Sequence, residues 1–124
     1  MALASTNGEA AALNGLDGTG TLNLIGFVSL HTGAGPSTTG ANENAATGGY
    51  ARQACTWNAA STGAGTKTNS SSLTFSTAGS VAVTYFGAWS AVTSGTYAIG
   101  GQLGSSVTAA TITIAAGALS ISAT

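Results

Sequence analysis

The ionisable side chains are the residues that could do chemistry, and this chain has very few of them. Its 124 residues include two basic side chains, three acidic ones, one His and one Cys, so that 4% of the residues are charged. In soluble globular proteins the charged fraction is about a quarter. Because reagents for acid–base, nucleophilic and metal chemistry are so scarce, we expect no enzymatic activity and no cofactor.

His31 is the one side chain in the sequence that could serve as a neutral catalytic base. A Ser-His-acid triad also needs an activated serine, yet no Gly-x-Ser-x-Gly motif accompanies His31. One His and the lone Cys55 do not supply the three or four ligands of a zinc site. We expect His31 to bond to loop backbone at a strand end, and Cys55 to be a small buried residue. A metal shared by His31 residues of symmetry-related copies is the alternative.

Glu43 and Arg52 are the opposite charges closest in sequence, and they flank a turn at Gly48-Gly49. Two hypotheses stay open for them. The first is an exposed ion pair that contributes roughly 0–1 kcal/mol. The second is a bidentate bridge that holds the long loop against the sheet. The other two carboxylates, Glu9 and Asp17, lie near the N-terminus, so a glycosidase pair is poorly supported.

Charge and hydropathy also limit which classes of partner this chain can bind. Two cations cannot form a phosphate-binding patch, and the longest apolar run, residues 24–28, is far shorter than the ~20 residues of a membrane span. We therefore expect neither nucleic acid nor membrane as a partner. The formal net charge of -1 gives little repulsion between copies, so we expect the chain to pack against other chains, other copies of itself included.

Alternating β-branched and small residues predict an all-β fold from residue 21 onward. Short strands separated by Gly, Ser and Thr clusters are typical of an antiparallel β-sandwich or barrel. About seven strands are predicted, at residues 21–30, 50–57, 71–76, 80–90, 96–103, 106–114 and 118–123. Residues 1–20 are predicted to be an extended N-terminal arm, and residues 21–124 the β domain.

Two details of this pattern carry specific predictions. Residues 80–90 are apolar on both faces, which is typical of a central strand. The last two segments place Ile112, Ile114, Leu119 and Ile121 on one face and predict a hairpin around Ala116-Gly117. Three aromatic residues are candidate anchors of the core or of a subunit contact: Trp57, Tyr85 and Trp89. For Trp89 the core is the favoured place.

Several runs of this sequence resemble small virion structural proteins of tailed bacteriophages, which are often labelled tail fibre proteins. The most specific run is His-Thr-x-x-x-Pro-x-x-x-Gly-Ala-Asn-Glu at residues 31–43, followed by Tyr-Ala-Arg at residues 50–52. Weaker likeness continues through residues 56–57, 69–70, 73–75 and 86–89. The resemblance covers about residues 25–123 and leaves the N-terminal arm outside.

This resemblance implies a virion component on the exterior of the phage particle, a homotrimer without enzymatic activity. Two attachments stay open. A capsid decoration protein, with the major capsid protein as partner, is favoured because the chain has no coiled-coil heptads or triple-helical shaft. A tail fibre or minor tail protein, with tail proteins as partners, is the alternative. A carbohydrate-binding β module is a third hypothesis, and it requires exposed rings among Tyr50, Trp57, Tyr85 and Tyr97.

Overall fold

Antiparallel strands make up the regular structure of the chain. The computed structural model describes residues 24–59 and 66–122, and within those ranges it contains strands and no helix. The strands are β1 (Phe27–Thr32), β2 (Gln53–Ala54), β3 (Thr66–Thr68), β4 (Leu73–Ser76), β5 (Val83–Trp89), β6 (Tyr97–Val107), β7 (Thr111–Ile114) and β8 (Ser120–Ser122). The predicted all-β class is confirmed. The arm predicted over residues 1–20 lies outside the described residues, so its boundary stays a prediction.

Four of the strands form one sheet in the order β2-β1-β5-β6. The position of β5 between β1 and β6 confirms the central strand predicted at residues 80–90. Leu30 pairs with Phe86 and Val28 with Ala88, and all four side chains are buried in the apolar core. Because successive side chains of a strand point to opposite faces, the residues between them lie on the other face of the sheet.

The remaining strands form a long two-stranded ribbon. β3 pairs with β8 and β4 pairs with β7, and both pairings join residues 66–76 to residues 111–122. One face of the ribbon is apolar and buried, through Leu73, Phe75, Ile112, Ile114, Leu119 and Ile121. This face and the apolar face of the four-stranded sheet share a single core. The architecture is therefore a sandwich, and the described strands do not close into a barrel.

The ribbon corrects three details predicted from the sequence. The alternating burial of residues 112–121 is confirmed, but β7 and β8 do not pair with each other as the predicted hairpin requires. The predicted strand at 106–114 is divided between the end of β6 and β7. The predicted loop at 58–70 contains β3. The partners of β3 and β7 are distant in sequence, so local alternation and turn signals could not identify them.

Asn69 explains why the chain does not form a local hairpin after β7. Its side chain is fully buried, and its Nδ2 donates to the carbonyls of Ser71 (2.8 Å) and Ala115 (3.1 Å). Its Oδ1 accepts from the backbone N–H of Leu119 at 2.9 Å. The Asn69 carbonyl also accepts from the N–H of Gly117 at 2.8 Å. The turn between β7 and β8 is therefore bonded to the opposite strand of the ribbon.

Trp57 and Cys55 lie on the core side of the sandwich. Trp57 is 8% exposed, and its indole N–H donates to the Ile25 carbonyl at 2.7 Å. Cys55 is an unpaired thiol in the same core, and burial raises its pKa to about 12. A thiol in this state is almost fully protonated near neutral pH and so is a weak nucleophile.

Replacement of Asn69 by Ala should destabilise the fold strongly. The substitution leaves two carbonyls and one N–H without their side-chain partner inside the protein, and an unsatisfied buried polar group costs about 1–3 kcal/mol. We expect the free energy of unfolding, measured by urea denaturation, to fall by about 2–4 kcal/mol. Asn58→Ala is the matched control, because the Asn58 side chain is exposed and bonds to Thr68 Oγ1. Equal losses in the two variants would contradict the role assigned to Asn69.

Candidate functional site

A long loop covers the polar face of the four-stranded sheet, on which His31, Tyr85 and Trp89 lie, and the loop itself contains Glu43. We define this covering loop as residues 33–49. Its backbone is bonded to β1, because Thr32 N–H donates to the Asn42 carbonyl (2.9 Å) and Asn44 N–H donates to the Leu30 carbonyl (2.8 Å). His31 and Glu43 form an isolated antiparallel bridge between these bonds. The loop is thus held in register with the strand.

A chain of three hydrogen bonds runs beneath the covering loop. Trp89 Nε1 donates to Ser29 Oγ at 2.7 Å, Ser29 Oγ lies 2.6 Å from His31 Nε2, and His31 Nδ1 lies 2.7 Å from the Ala41 carbonyl. An indole N–H can only donate and a carbonyl can only accept. When His31 is neutral, these three hydrogen bonds therefore all run in one direction. Nδ1 of His31 carries the proton, and the Ser29 hydroxyl donates to Nε2.

Gly87 makes room for this chain on the neighbouring strand. It pairs with Ser29 across β1 and β5. A Cβ atom at position 87 would lie 2.7 Å from His31 Nε2 and 2.8 Å from Ser29 Oγ. Since carbon atoms do not approach polar atoms that closely in folded proteins, a side chain here would displace the Ser29–His31 hydrogen bond.

Burial holds His31 in its neutral form. The loss of hydration lowers the pKa of His31, while its bond to the Ala41 carbonyl and the nearby Glu43 carboxylate act in the opposite direction. Arg52 adds to the lowering. The net pKa lies below the ordinary value of 6.5, so His31 is mostly uncharged at neutral pH. This agrees with the direction of the hydrogen bonds.

Arg52 connects two loops to the sheet. Its Nε and Nη2 donate to the two carboxylate oxygens of Glu43 at 2.9 and 2.8 Å. Its Nη1 donates to the carbonyls of Ala91 (3.0 Å) and Ser94 (2.8 Å) in the loop after β5. The guanidinium also lies 3.6 Å from the ring centre of Trp89. The Glu43–Arg52 contact is thus a bidentate, largely buried salt bridge, with side chains 24% and 8% exposed.

Tyr50 completes the network around the Glu43 carboxylate. Its hydroxyl donates to Glu43 Oε2 at 2.9 Å and accepts from the Leu30 backbone N–H at 3.0 Å. Burial raises the pKa of Tyr50 well above its usual range, and the Glu43 carboxylate raises it further. Burial acts to raise the pKa of Glu43, but the hydrogen bonds from Arg52 and Tyr50 hold it below its ordinary value. Glu43 is therefore ionised and Tyr50 protonated at neutral pH.

The network as a whole is buried and holds the covering loop against the sheet. Ser29 and His31 have no exposed surface, so a substrate cannot reach the one serine that bonds to the histidine. Within residues 24–59 and 66–122, no three His, Cys, Asp or Glu side chains are grouped as metal ligands. The described segments also contain no helix long and apolar enough to cross a bilayer.

The aromatic residues singled out from the sequence occupy different places. Trp89 is buried in this network, with its ring against Arg52 and edge-on to Tyr97, whose ring centre is 5.3 Å away. Tyr85 is half-buried on the same face, under Gly35 of the covering loop. Trp57 lies in the core on the opposite side of the sheet. Tyr50 and Trp57 are thus too buried to bind a saccharide by stacking, and Tyr97 is half-buried.

Two residues of the network were missed by the sequence reasoning on the site. Ser29 precedes His31 by two positions on one strand, which places both side chains on the same face. Tyr50 is likewise two positions before Arg52. The spacing of two residues was therefore the available signal in both cases, although the contacts of Tyr50 and Arg52 depend on the path of the covering loop, which carries Glu43.

A family model described as podophage GP4 fiber I protein gp80 matches residues 5–122. The chain belongs to this family. The predicted resemblance to virion structural proteins of tailed phages is thereby confirmed. The match to the fibre family also includes residues 5–20, which the resemblance seen in the sequence left outside. Among curated proteins, no match was found.

Replacement of Arg52 by Lys should weaken the fold although it keeps the charge. An ammonium group cannot bond to both Glu43 oxygens and also reach the Ala91 and Ser94 carbonyls, because it lacks the planar fork of the guanidinium. We expect the free energy of unfolding to fall by about 2 kcal/mol, the size of one or two hydrogen bonds to a charged group. A double-mutant cycle with Glu43→Gln should give a clear coupling energy. A loss below about 0.5 kcal/mol, as for an ordinary surface substitution, would contradict this role.

Acidification should destabilise the protein in two steps. His31 has a lowered pKa in the folded state, so the unfolded chain binds its proton first, near pH 6.5, and stability falls as the pH drops below that value. Glu43 also has a lowered pKa when folded, so its contribution is present above about pH 4.5 and is lost at lower pH.

Urea denaturation between pH 7.5 and 5 isolates the first step, since His31 is the one histidine of the sequence. The slope for one proton is at most about 1.4 kcal/mol per pH unit. The His31→Gln variant should be less stable at pH 7.5 and should lose most of this slope. If the variant and the unmodified protein had the same slope, His31 would not be the group responsible.

Proposed function

We propose that this chain is a structural subunit of a phage tail fibre, exposed on the outside of the virion and without enzymatic activity. The family match over residues 5–122 is the observation that carries the proposal. The buried network supports it, because the histidine and the strongest ion pair of the described residues act inside the fold. Their chemistry stabilises a loop and is not presented to a substrate.

The surface of the described residues is almost free of charge. Glu43 and Arg52 bond to each other, and Lys67 is 2% exposed, with its Nζ donating to the Asn58 carbonyl at 2.9 Å. Hydroxyls, amides and small side chains therefore make the contacts with partners. The proposed partners are other copies of the chain, as a homotrimer, and further tail proteins, with no part for nucleic acid or membrane.

The tail fibre is favoured over the capsid decoration protein that the sequence analysis preferred. That preference depended on the lack of coiled-coil heptads and of a triple-helical shaft in the chain. A fibre can take its shaft from other chains, so a compact β domain of this length is compatible with a fibre subunit. The description of the matched family, a fibre protein, supports the same choice.

The location can be tested on purified phage. Heads and tails separated by density-gradient centrifugation should differ: mass spectrometry should find the chain in the tail fraction, in multiples of three copies per fibre, and not in tailless heads. Gold-labelled antibodies against the chain should mark fibres in electron micrographs. A protein found on heads at the copy number of the capsid lattice would reinstate capsid decoration and overturn the proposal.

A further inference from the structure

A surface pocket is lined by the Glu43–Arg52 bridge, by the covering loop and by the loop after β5. Its volume is about 310 Å³, which lies at the small end of the ~300–1,000 Å³ typical of ligand pockets. Residues 50–52 form one wall and residues 92–94 form another. The pocket therefore has room for a small ligand, of about the size of one sugar unit.

The loop after β5 is held in a single conformation by hydrogen bonds. Ser90 N–H donates to the Thr96 carbonyl at 3.0 Å, and Thr96 N–H donates to Ser90 Oγ at 2.8 Å. Between them, Ser94 has a φ of 53°, which is uncommon for a residue other than glycine, and its carbonyl accepts from Arg52 Nη1 at 2.8 Å. This wall of the pocket is therefore preformed, so binding does not have to order it first.

Aliphatic side chains form much of the pocket surface. Val92 lines it and is 45% exposed, and Val81 is the other large apolar side chain that is exposed among the described residues. Ala46 and Ala51 are exposed in the same pocket. A methyl group placed here would leave water for aliphatic contacts, which is favourable. The pocket therefore suits a ligand with a small apolar group.

The polar groups of the pocket have hydrogen-bonding capacity left over. Arg52 donates four hydrogen bonds to described residues, whereas a guanidinium has five N–H groups, so one N–H of Nη2 remains. Glu43 Oε1 accepts one bond within the described residues, and a carboxylate oxygen can accept two. The Thr93 and Ser94 hydroxyls also line the pocket. The pocket thus offers a charged donor, a charged acceptor and two hydroxyls.

The two opposite charges select for a neutral ligand. An anion drawn to Arg52 would also meet the Glu43 carboxylate, and a cation drawn to Glu43 would also meet the guanidinium, which lies 2.8 Å away. A neutral amide can satisfy both groups, because its N–H donates and its carbonyl accepts. An acetamido group adds a methyl to this amide, and so it matches the donor, the acceptor and the aliphatic wall together.

We propose that this pocket binds the acetamido group of an N-acetylated sugar. The amide N–H donates to Glu43 Oε1, the acetyl carbonyl accepts from Arg52 Nη2, and the methyl packs against Val92. The sugar hydroxyls bond to Thr93 and Ser94. The salt bridge keeps its structural role, since the ligand uses only the bonds that the bridge leaves available.

This mode of binding needs no exposed aromatic ring, so it agrees with the burial of Tyr50 and Trp57. The use of the site rests on the proposed fibre function, because a subunit on the outside of the virion can reach N-acetylated sugars of the cell surface. The pocket itself is formed within one copy of the chain.

Saturation-transfer NMR on the full-length chain tests the site. N-acetylglucosamine is the probe, and glucose is the matched sugar without the acetamido group. We expect the strongest saturation on the acetyl methyl, a dissociation constant of about 1 mM, as for a small neutral ligand, and no saturation of glucose. Equal binding of the two sugars would overturn the proposal. Tighter binding of N-acetylglycine methylamide than of the sugar would also overturn it, since the pocket would then prefer a peptide.

The two exposed valines supply a matched pair of variants. Val92→Ser removes the apolar wall and should weaken N-acetylglucosamine binding about tenfold, as for the loss of a methyl contact in an apolar pocket. Val81→Ser makes the same change at a side chain that is 55% exposed and lies outside this pocket, so it should bind as the unmodified protein does. Both variants should keep the melting temperature, because the two positions are exposed. Equal affinities of the two variants would contradict the assigned site.

The binding test and the location test can fail separately. If the chain lies in the tail fraction but N-acetylglucosamine does not bind, the sugar site is wrong and the fibre assignment stands. If the sugar binds through Val92 but the chain lies on heads, the fibre assignment is wrong and the site stands.

Discussion

The polar face of the sheet depends on the buried contact between Glu43 and Arg52. An ion pair taken out of water is costly unless further hydrogen bonds satisfy both groups, and here Tyr50 bonds to the carboxylate while two carbonyls and the Trp89 ring surround the guanidinium. The pair therefore fixes the positions of the covering loop, the loop after β5 and the polar face of the sheet relative to one another. With this contact in place, the hydrogen bonds of Ser29 and His31 are shielded from water.

The scarcity of charge made part of this site predictable. In a sequence with five charged residues, Glu43 and Arg52 stood out by their separation alone, and the bidentate bridge was one of two hypotheses for them. The strands β1 and β4 were predictable because apolar residues alternate in them, and β5 because both of its faces are apolar. The partner of each strand was not, since β3 lies in a Ser- and Thr-rich stretch and the β7 pairing depends on Asn69. Contacts between distant segments leave no local signal in one sequence.

The two faces of the sheet are stabilised by different interactions, apolar burial on one and hydrogen bonds on the other. On one face the ribbon buries aliphatic and aromatic side chains, and the contribution scales with apolar area. On the other face a polar network supports a loop rich in Gly, Ala and Thr, which has few large apolar side chains to bury. A protein whose described residues expose almost no charge can thus keep a long loop ordered without a second hydrophobic core.

The placement of the two tryptophans gives this protein a built-in pair of optical probes. Trp57 is surrounded by the core, whereas Trp89 lies under the covering loop against a guanidinium and a serine hydroxyl. Lifting of the loop would expose the second indole to water and leave the first one dry. With each tryptophan replaced in turn by phenylalanine, the emission of the remaining one distinguishes a local opening of the loop from collapse of the whole sandwich.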